Sequence, residues 1–117
     1  MRLESILNTL SESNLHAFYP LSFPSSKPSS VIDITGGTVE RGGVNQLYLR
    51  VLTRETHPSI AINKAHEIKE YLYKNVKGAF FDGKKVLNIE TDTPEPLNIG
   101  EENGTYTVSW NYNIIEG

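Results

Sequence analysis

The side chains that most often carry chemistry are sparse in this sequence. Its three histidines are His16, His57 and His66, and it contains no cysteine. His66 falls on a clearly predicted helix, where Glu70 is the one acidic residue at helical spacing from it. Zinc sites need three or four converging ligands. We therefore predict a helix-surface histidine and no metal site.

Patterns for nucleophilic or phosphate-binding chemistry are also missing. The serines gather in a proline-rich stretch, and none lies in a G-x-S-x-G elbow. The glycine pairs Gly36-Gly37 and Gly42-Gly43 are not followed by Gly-Lys-Ser/Thr and do not open a helix. The adjacent acids Glu101 and Glu102 flank a turn and have no apolar pocket around them. The sequence therefore predicts neither an enzyme nor a cofactor.

Composition narrows the class of protein further. The chain has 117 residues and a net charge of −3, which suits one domain and gives no basic excess for holding nucleic acid. Without cysteine it has no disulfides or thiolate metal sites. No segment approaches the roughly 20 apolar residues of a membrane span, and no signal peptide is evident. We expect folding in a reducing cytosol.

Two helices are predicted from apolar periodicity. Residues 2–15 carry leucine and isoleucine at helical spacing, which is typical of an amphipathic helix. The second helix begins near His57 and Pro58, because proline is well tolerated in the first turn. Its apolar stripe runs from Ala61 to Val76, and Gly78 follows as a cap. This helix has the stronger pattern of the two.

Four strands are predicted, at residues 31–35, 46–53, 85–91 and 105–114. The last one alternates strictly between large apolar and polar side chains, which indicates one buried and one wet face of an antiparallel sheet. Proline-, serine- and glycine-rich stretches at 19–30, 38–44 and 92–102 are predicted to be loops. The order α-β-β-α-β-β favours an α+β fold with two helices packed on one face of a mostly antiparallel four-stranded sheet.

More aromatic residues are present than one small core can bury. Partial burial under the loops accounts for some of them. Others, together with Arg41 or Arg50, are suited to an oligomer interface, where aromatic residues and arginine are enriched. Tyr48 lies on the half-polar face of its predicted strand, which a partner could cover. The sequence thus favours assembly over catalysis.

The pattern of elements resembles the tail-terminator proteins of long-tailed bacteriophages, also described as minor capsid or tail-completion proteins. The resemblance covers nearly all of the chain, and no single diagnostic motif carries it. It rests on the Pro94-x-Pro96 loop and on the stretches VIDITGG (31–37), LYLRV (47–51), AINKAHEI (61–68) and GTYTVSWNY (104–112).

The resemblance implies a single tail-terminator-like domain over residues 1–117. Such a subunit would form a ring, usually a hexamer, that caps the tail tube, ends its polymerisation and meets the head-side connector. It would have no cofactor and no active site, and DNA would only pass through. The virion tail would be its final location, after assembly in the host cytoplasm. The implied contact positions are Gly36, Gly37, Arg41, Gly42, Gly43, Tyr48, Arg50, Glu95, Glu101 and Glu102.

Two alternatives remain open from the sequence. The chain could be another phage assembly part of related fold, such as a head-tail joining protein or a tail tube subunit. It could also be a cellular α+β module that uses its aromatic loops to bind a small molecule or a peptide. Neither alternative requires a catalytic constellation.

Overall fold

The computed structural model describes residues 2–25, 27–39 and 42–117, without the side chain of Val39. The elements in chain order are α1 (Leu3–Glu12), β1 (Phe18–Pro20), β2 (Ser29–Val39), β3 (Asn45–Glu55), α2 (Pro58–Asn75), β4 (Phe80–Phe81), β5 (Lys84–Thr91), β6 (Leu97–Glu102) and β7 (Thr105–Glu116).

Both predicted helices are confirmed. The α1 helix buries Ile6 and Leu10. The α2 helix starts at Pro58, after an N-cap at which the His57 side chain accepts a hydrogen bond from the Ser59 N–H over 3.2 Å. Proline suits this start because the first helical N–H groups have no partner inside the helix.

The predicted four-stranded antiparallel sheet with helices on one face is wrong. In the described residues, seven strands form one curled, mixed sheet of half-barrel shape, and the fold is mostly β. The order across the sheet is β1-β2-β3-β7-β5-β4, and β6 also pairs with β7. The β1–β2 pair is parallel, whereas the other pairs are antiparallel.

The β7 strand organises this sheet. One side of β7 pairs with the whole length of β3, from Glu55↔Tyr106 to Asn45↔Glu116. The other side is shared, because β6 pairs with residues 105–109 and β5 with residues 112–116. The buried face predicted for 105–114 is confirmed at Val108, Trp110 and Tyr112, but Ser109 on the predicted wet face is buried as well.

One apolar cluster forms the core between the helices and the inner face of the sheet. It combines residues of both helices with the inward side chains of β3 and β7. Strand registers place Val51 opposite Trp110 and Leu49 opposite Tyr112, so these large side chains share the inner face. The outer face carries the residues between them, including Leu52 and Arg54.

The strand predicted at 31–35 is confirmed as part of β2, but the three stretches predicted to be loops also contain strand residues. β2 does not turn at Gly36-Gly37 but continues to Val39, with a bulge between Ile34 and Gly36. A Cβ at Gly37 would lie 2.3 Å from the Gln46 carbonyl oxygen, so glycine there permits close pairing with β3. β1 and β6 also form inside predicted loops. β6 is exposed at every residue, so it has no buried face for an alternating pattern to reveal.

Candidate functional site

The outer face of the sheet holds a shallow groove between the loop after β1 and strand β6. Its volume is about 330 Å³. The floor of the groove is formed by β3 and β7, whose register places Leu52 opposite Ser109 and Arg54 opposite Thr107. We call this the outer groove, lined by Phe23, Leu52, Arg54, Ile99, Gly100, Glu101, Glu102 and Thr107.

Arg54 fixes one wall of the outer groove. Its guanidinium carbon lies 3.9 Å from the centre of the Phe23 ring, and its Nη1 donates to the Ser25 carbonyl oxygen over 3.0 Å. Its Nε donates to Thr107 Oγ1 over 3.4 Å. Stacking of arginine on an aromatic ring is favourable because the ring face is electronegative. The loop that carries Phe23 is therefore held against the sheet.

Strand β6 forms the opposite wall and leaves apolar side chains uncovered. Leu97 and Ile99 are 52% and 56% exposed. Glu101 and Glu102 follow at the end of the strand and are also exposed. Glu101 Oε1 accepts a hydrogen bond from the Gly104 N–H over 3.3 Å, which positions it at the turn into β7. The outer groove is thus apolar with an acidic rim.

The predicted contact residues fall into separate regions. Gly36 and Tyr48 are paired on β2 and β3, and Arg50 beside them donates to the Asp33 carboxylate over 3.3 Å. Gly42 and Gly43 lie in the connection between these strands with φ values of +90° and +83°. Gly37 lies on β2, Arg41 lies outside the described residues, Glu101 and Glu102 lie on the groove rim, and Glu95 lies beside α2.

Glu95 has a partner that the sequence did not reveal. Its Oε2 lies 2.6 Å from Nε2 of His66, whose ring meets the edge of Trp110 with centroids 4.8 Å apart. His66 is thus a partly exposed helix residue that contacts the loop before β6. Across the residues that the structure describes, no three histidine or acidic side chains converge as metal ligands do.

A buried Ser-His-Glu cluster was also missed. His16 Nδ1 lies 2.7 Å from Ser30 Oγ, and Nε2 lies 2.9 Å from Glu55 Oε1. Burial is the main cause that lowers the pKa of His16 below 6.5, against the opposing influence of Glu55. These contacts resemble those of a hydrolase triad, but Ser30 is 0% exposed and cannot reach a substrate. The cluster therefore joins the chain after α1 to strands β2 and β3.

No signal in the sequence could have found the His16 cluster. His16 is 14 residues from Ser30 and 39 from Glu55, and the cluster forms only because β1 pairs with β2 and β2 pairs with β3. The outer groove was missed as well, because β6, which forms one of its walls, was predicted to be a loop.

No described helix is long and apolar enough to cross a membrane. In comparisons with known proteins, no protein-family model matches this chain. No curated protein sequence matches it either.

Proposed function

We propose that this protein is a structural subunit of a phage or prophage virion that assembles into a ring on the end of the tail tube. The ring, a hexamer in the tail-terminator pattern, would end tube polymerisation and form part of the head-tail joint. Its partners would be other copies of itself, the tail tube protein and the head-tail connector, with DNA in transit. It would act in the host cytoplasm during assembly and remain at the head-proximal end of the tail.

The observation that carries this proposal is the unpaired and apolar margin formed by β6. Among the described strands β6 pairs only with β7, and Leu97 and Ile99 project from it largely exposed. An exposed strand edge offers backbone donors and acceptors to another chain, and exposed apolar side chains are stabilised when a partner covers them. Such a margin favours a protein that completes its surface by assembly.

The margin of the sheet at β1 and β2 differs from the margin at β6. β1 pairs with Ser30, Val31 and Ile32, and no described strand pairs with this side of β2 after Ile32. A sheet whose margins at β2 and β6 are unlike is suited to head-to-tail association, in which one surface of a subunit meets a different surface of the next. Association of this kind closes into a ring when the rotation per subunit allows it.

The chemistry at hand supports an assembly role over a catalytic one. The His16 cluster, which resembles a catalytic triad, is buried, and the outer groove has two carboxylates at its rim beside an arginine bound to neighbouring groups. A net charge of −3 also suits a ring through which DNA slides without being held.

Electron microscopy of the purified protein, alone and with tail tubes, tests the proposal. We expect rings of uniform size that seat on tube ends. Disruption of the gene in the phage or prophage should yield tails of uncontrolled length. Tails of normal length without heads would instead indicate a head-tail joining protein. A protein that stays monomeric, forms no rings and leaves tail length unchanged would contradict the proposal.

A further inference from the structure

The acidic end of the molecule combines exposed apolar side chains with negative charge. Glu101 pairs with Tyr106 and Glu102 with Thr105, so both carboxylates lie where β7 begins. Ile99, which is 56% exposed, lines the outer groove beside them. We call this surface, formed by Phe23, Ile99, Glu101 and Glu102, the acidic end.

A second exposed apolar surface lies at the other end of β7 and carries positive charge. Phe80 is paired with Lys85 across β4 and β5, so the two side chains lie side by side. Phe80 is 71% exposed, which is unusual for a phenylalanine without a partner protein. The Lys85 N–H donates to the Gly117 carbonyl oxygen over 2.9 Å, which fixes this surface beside the end of β7.

Further groups extend this second surface. Leu87 is 47% exposed and follows Lys85 on the same strand. Lys77 is exposed and precedes Gly78, whose N–H donates to the Val86 carbonyl oxygen over 2.8 Å. We call the surface formed by Lys77, Phe80, Lys85 and Leu87 the basic end.

The chain separates its charges along the sequence in the same way. No lysine or arginine follows Lys85. The remaining residues carry acids alone, namely Glu90, Asp92, Glu95, Glu101, Glu102 and Glu116. The lysines at 77, 84 and 85 come directly before this acidic stretch. Unlike charges at two apolar surfaces steer those surfaces toward each other and disfavour contacts between like ends.

The two ends cannot meet within one copy. β7 runs from Thr105 to Glu116, a span of about 35 Å at the usual rise of a strand. The molecule is 48 Å long in its largest dimension. The acidic and basic ends therefore lie far apart, and each can reach its complement only on a neighbouring copy.

We infer that the basic end of one copy docks on the acidic end of the next copy. Phe80 enters the outer groove beside Ile99, and Lys85 lies opposite Glu102. An aromatic anchor in a groove, flanked by complementary charges, is the usual composition of a strong protein contact. The contact is heterologous, so each added copy presents the same free ends again. This inference deepens the proposed ring and rests on the proposed function.

Cysteine crosslinking tests the contact directly, because the chain has no cysteine of its own. A Phe80→Cys chain and an Ile99→Cys chain, made with different tags, are mixed and oxidised. We expect a mixed disulfide dimer to form at least about tenfold faster than either variant links to itself. The matched control pairs Ile99→Cys with Ile60→Cys, since Ile60 is 46% exposed on α2 and outside both ends.

A charge exchange checks the orientation. Adding Lys85→Glu to the Phe80→Cys chain should slow crosslinking by about tenfold, because it places two carboxylates together. Adding Glu102→Lys to the Ile99→Cys chain as well should restore the rate. Circular dichroism of each variant shows whether it is folded. Raising the salt concentration should slow crosslinking between the Phe80→Cys and Ile99→Cys chains that keep their original charges, because salt screens the attraction.

The outcomes separate this contact from the proposed function. Crosslinking of the Phe80→Cys and Ile99→Cys chains no faster than the control overturns the inference. If the unmodified protein still forms rings on tail tubes, the proposed function stands and uses another interface. If crosslinking and charge rescue succeed but rings and tail-length effects are absent, the contact is real and the ring-capping function is wrong.

Discussion

Replacing His16 with alanine removes the imidazole ring that contacts both β2 and β3. Nδ1 of His16 contacts Ser30 Oγ at 2.7 Å and Nε2 contacts Glu55 Oε1 at 2.9 Å. The side chains of His16 and Glu55 are 8% and 12% exposed, and Ser30 is 0% exposed. Water has little access to replace the lost contacts.

The cost of His16→Ala follows from these two hydrogen bonds. A bond between neutral groups contributes about 1 kcal/mol, and a bond to a charged group contributes about 1.5–3 kcal/mol. We therefore expect the free energy of unfolding to fall by about 2.5–4 kcal/mol. A domain of this size loses about 4 °C in Tm for each kcal/mol, so the melting temperature should fall by about 10–16 °C.

Urea unfolding, followed by the fluorescence of the single tryptophan Trp110, measures this loss. A double-mutant cycle with Glu55→Ala isolates the contact between the two side chains, and we expect a coupling of about 1.5–3 kcal/mol. A coupling below about 0.5 kcal/mol, or a loss from His16→Ala below about 1 kcal/mol, would refute the assignment of His16 as a brace between β2 and β3.

Three further predictions concern stability. Burial lowers the pKa of His16 below 6.5, so the unfolded chain takes up a proton on this histidine before the folded protein does as pH falls. The free energy of unfolding therefore decreases below about pH 6.5. In His16→Gln the urea concentration at the unfolding midpoint should change less between about pH 8 and about pH 5.5 than it does in the original protein. Gly37→Ala should lower the unfolding free energy by about 1–3 kcal/mol in thermal melts, because its Cβ would meet a carbonyl oxygen at 2.3 Å; an equal loss from the exposed neighbour Thr38→Ala would contradict this. Glu95→Gln should change the urea-derived free energy by less than about 0.5 kcal/mol, since His66 and Glu95 are 38% and 67% exposed, and a loss above about 1 kcal/mol would argue otherwise.

Periodic burial made part of the fold predictable. The α2 helix was found from its apolar stripe, since Ala61, Ala65, Ile68 and Leu72 all pack inward. β7 was found because its side chains alternate between the core and the outer face. These elements have one clear buried face, and a single sequence displays such a face directly.

The missed strands lack such a face. β6 is exposed along its length, and its Gly100 and the two prolines just before it, Pro94 and Pro96, resemble loop composition, so only pairing with β7 makes it a strand. β2 continues through Gly36 and Gly37 because β3 needs close approach there, and a glycine pair alone reads as a turn. The sheet order was therefore beyond prediction from local patterns.

The candidate site was likewise predictable only in part. The acidic residues Glu101 and Glu102 were selected from sequence and do line the outer groove. Phe23, Arg54 and Ile99 complete the groove through contacts between distant segments, so no spacing could have associated them. The charge separation after Lys85 is visible in the sequence, but its placement at opposite ends of β7 depends on the fold.

The central position of β7 has a consequence for synthesis. Residues 105–116 form the strand that pairs with β3, β5 and β6, and they emerge from the ribosome after all three partners. Until then β3 can pair with β2 alone, and one long edge of the nascent hairpin stays open to other chains. Pairing between β3 and β7 must also close a loop that contains all of α2, which slows folding. The interval before Thr105 emerges is thus the period in which a growing chain is most exposed to misassembly with its neighbours.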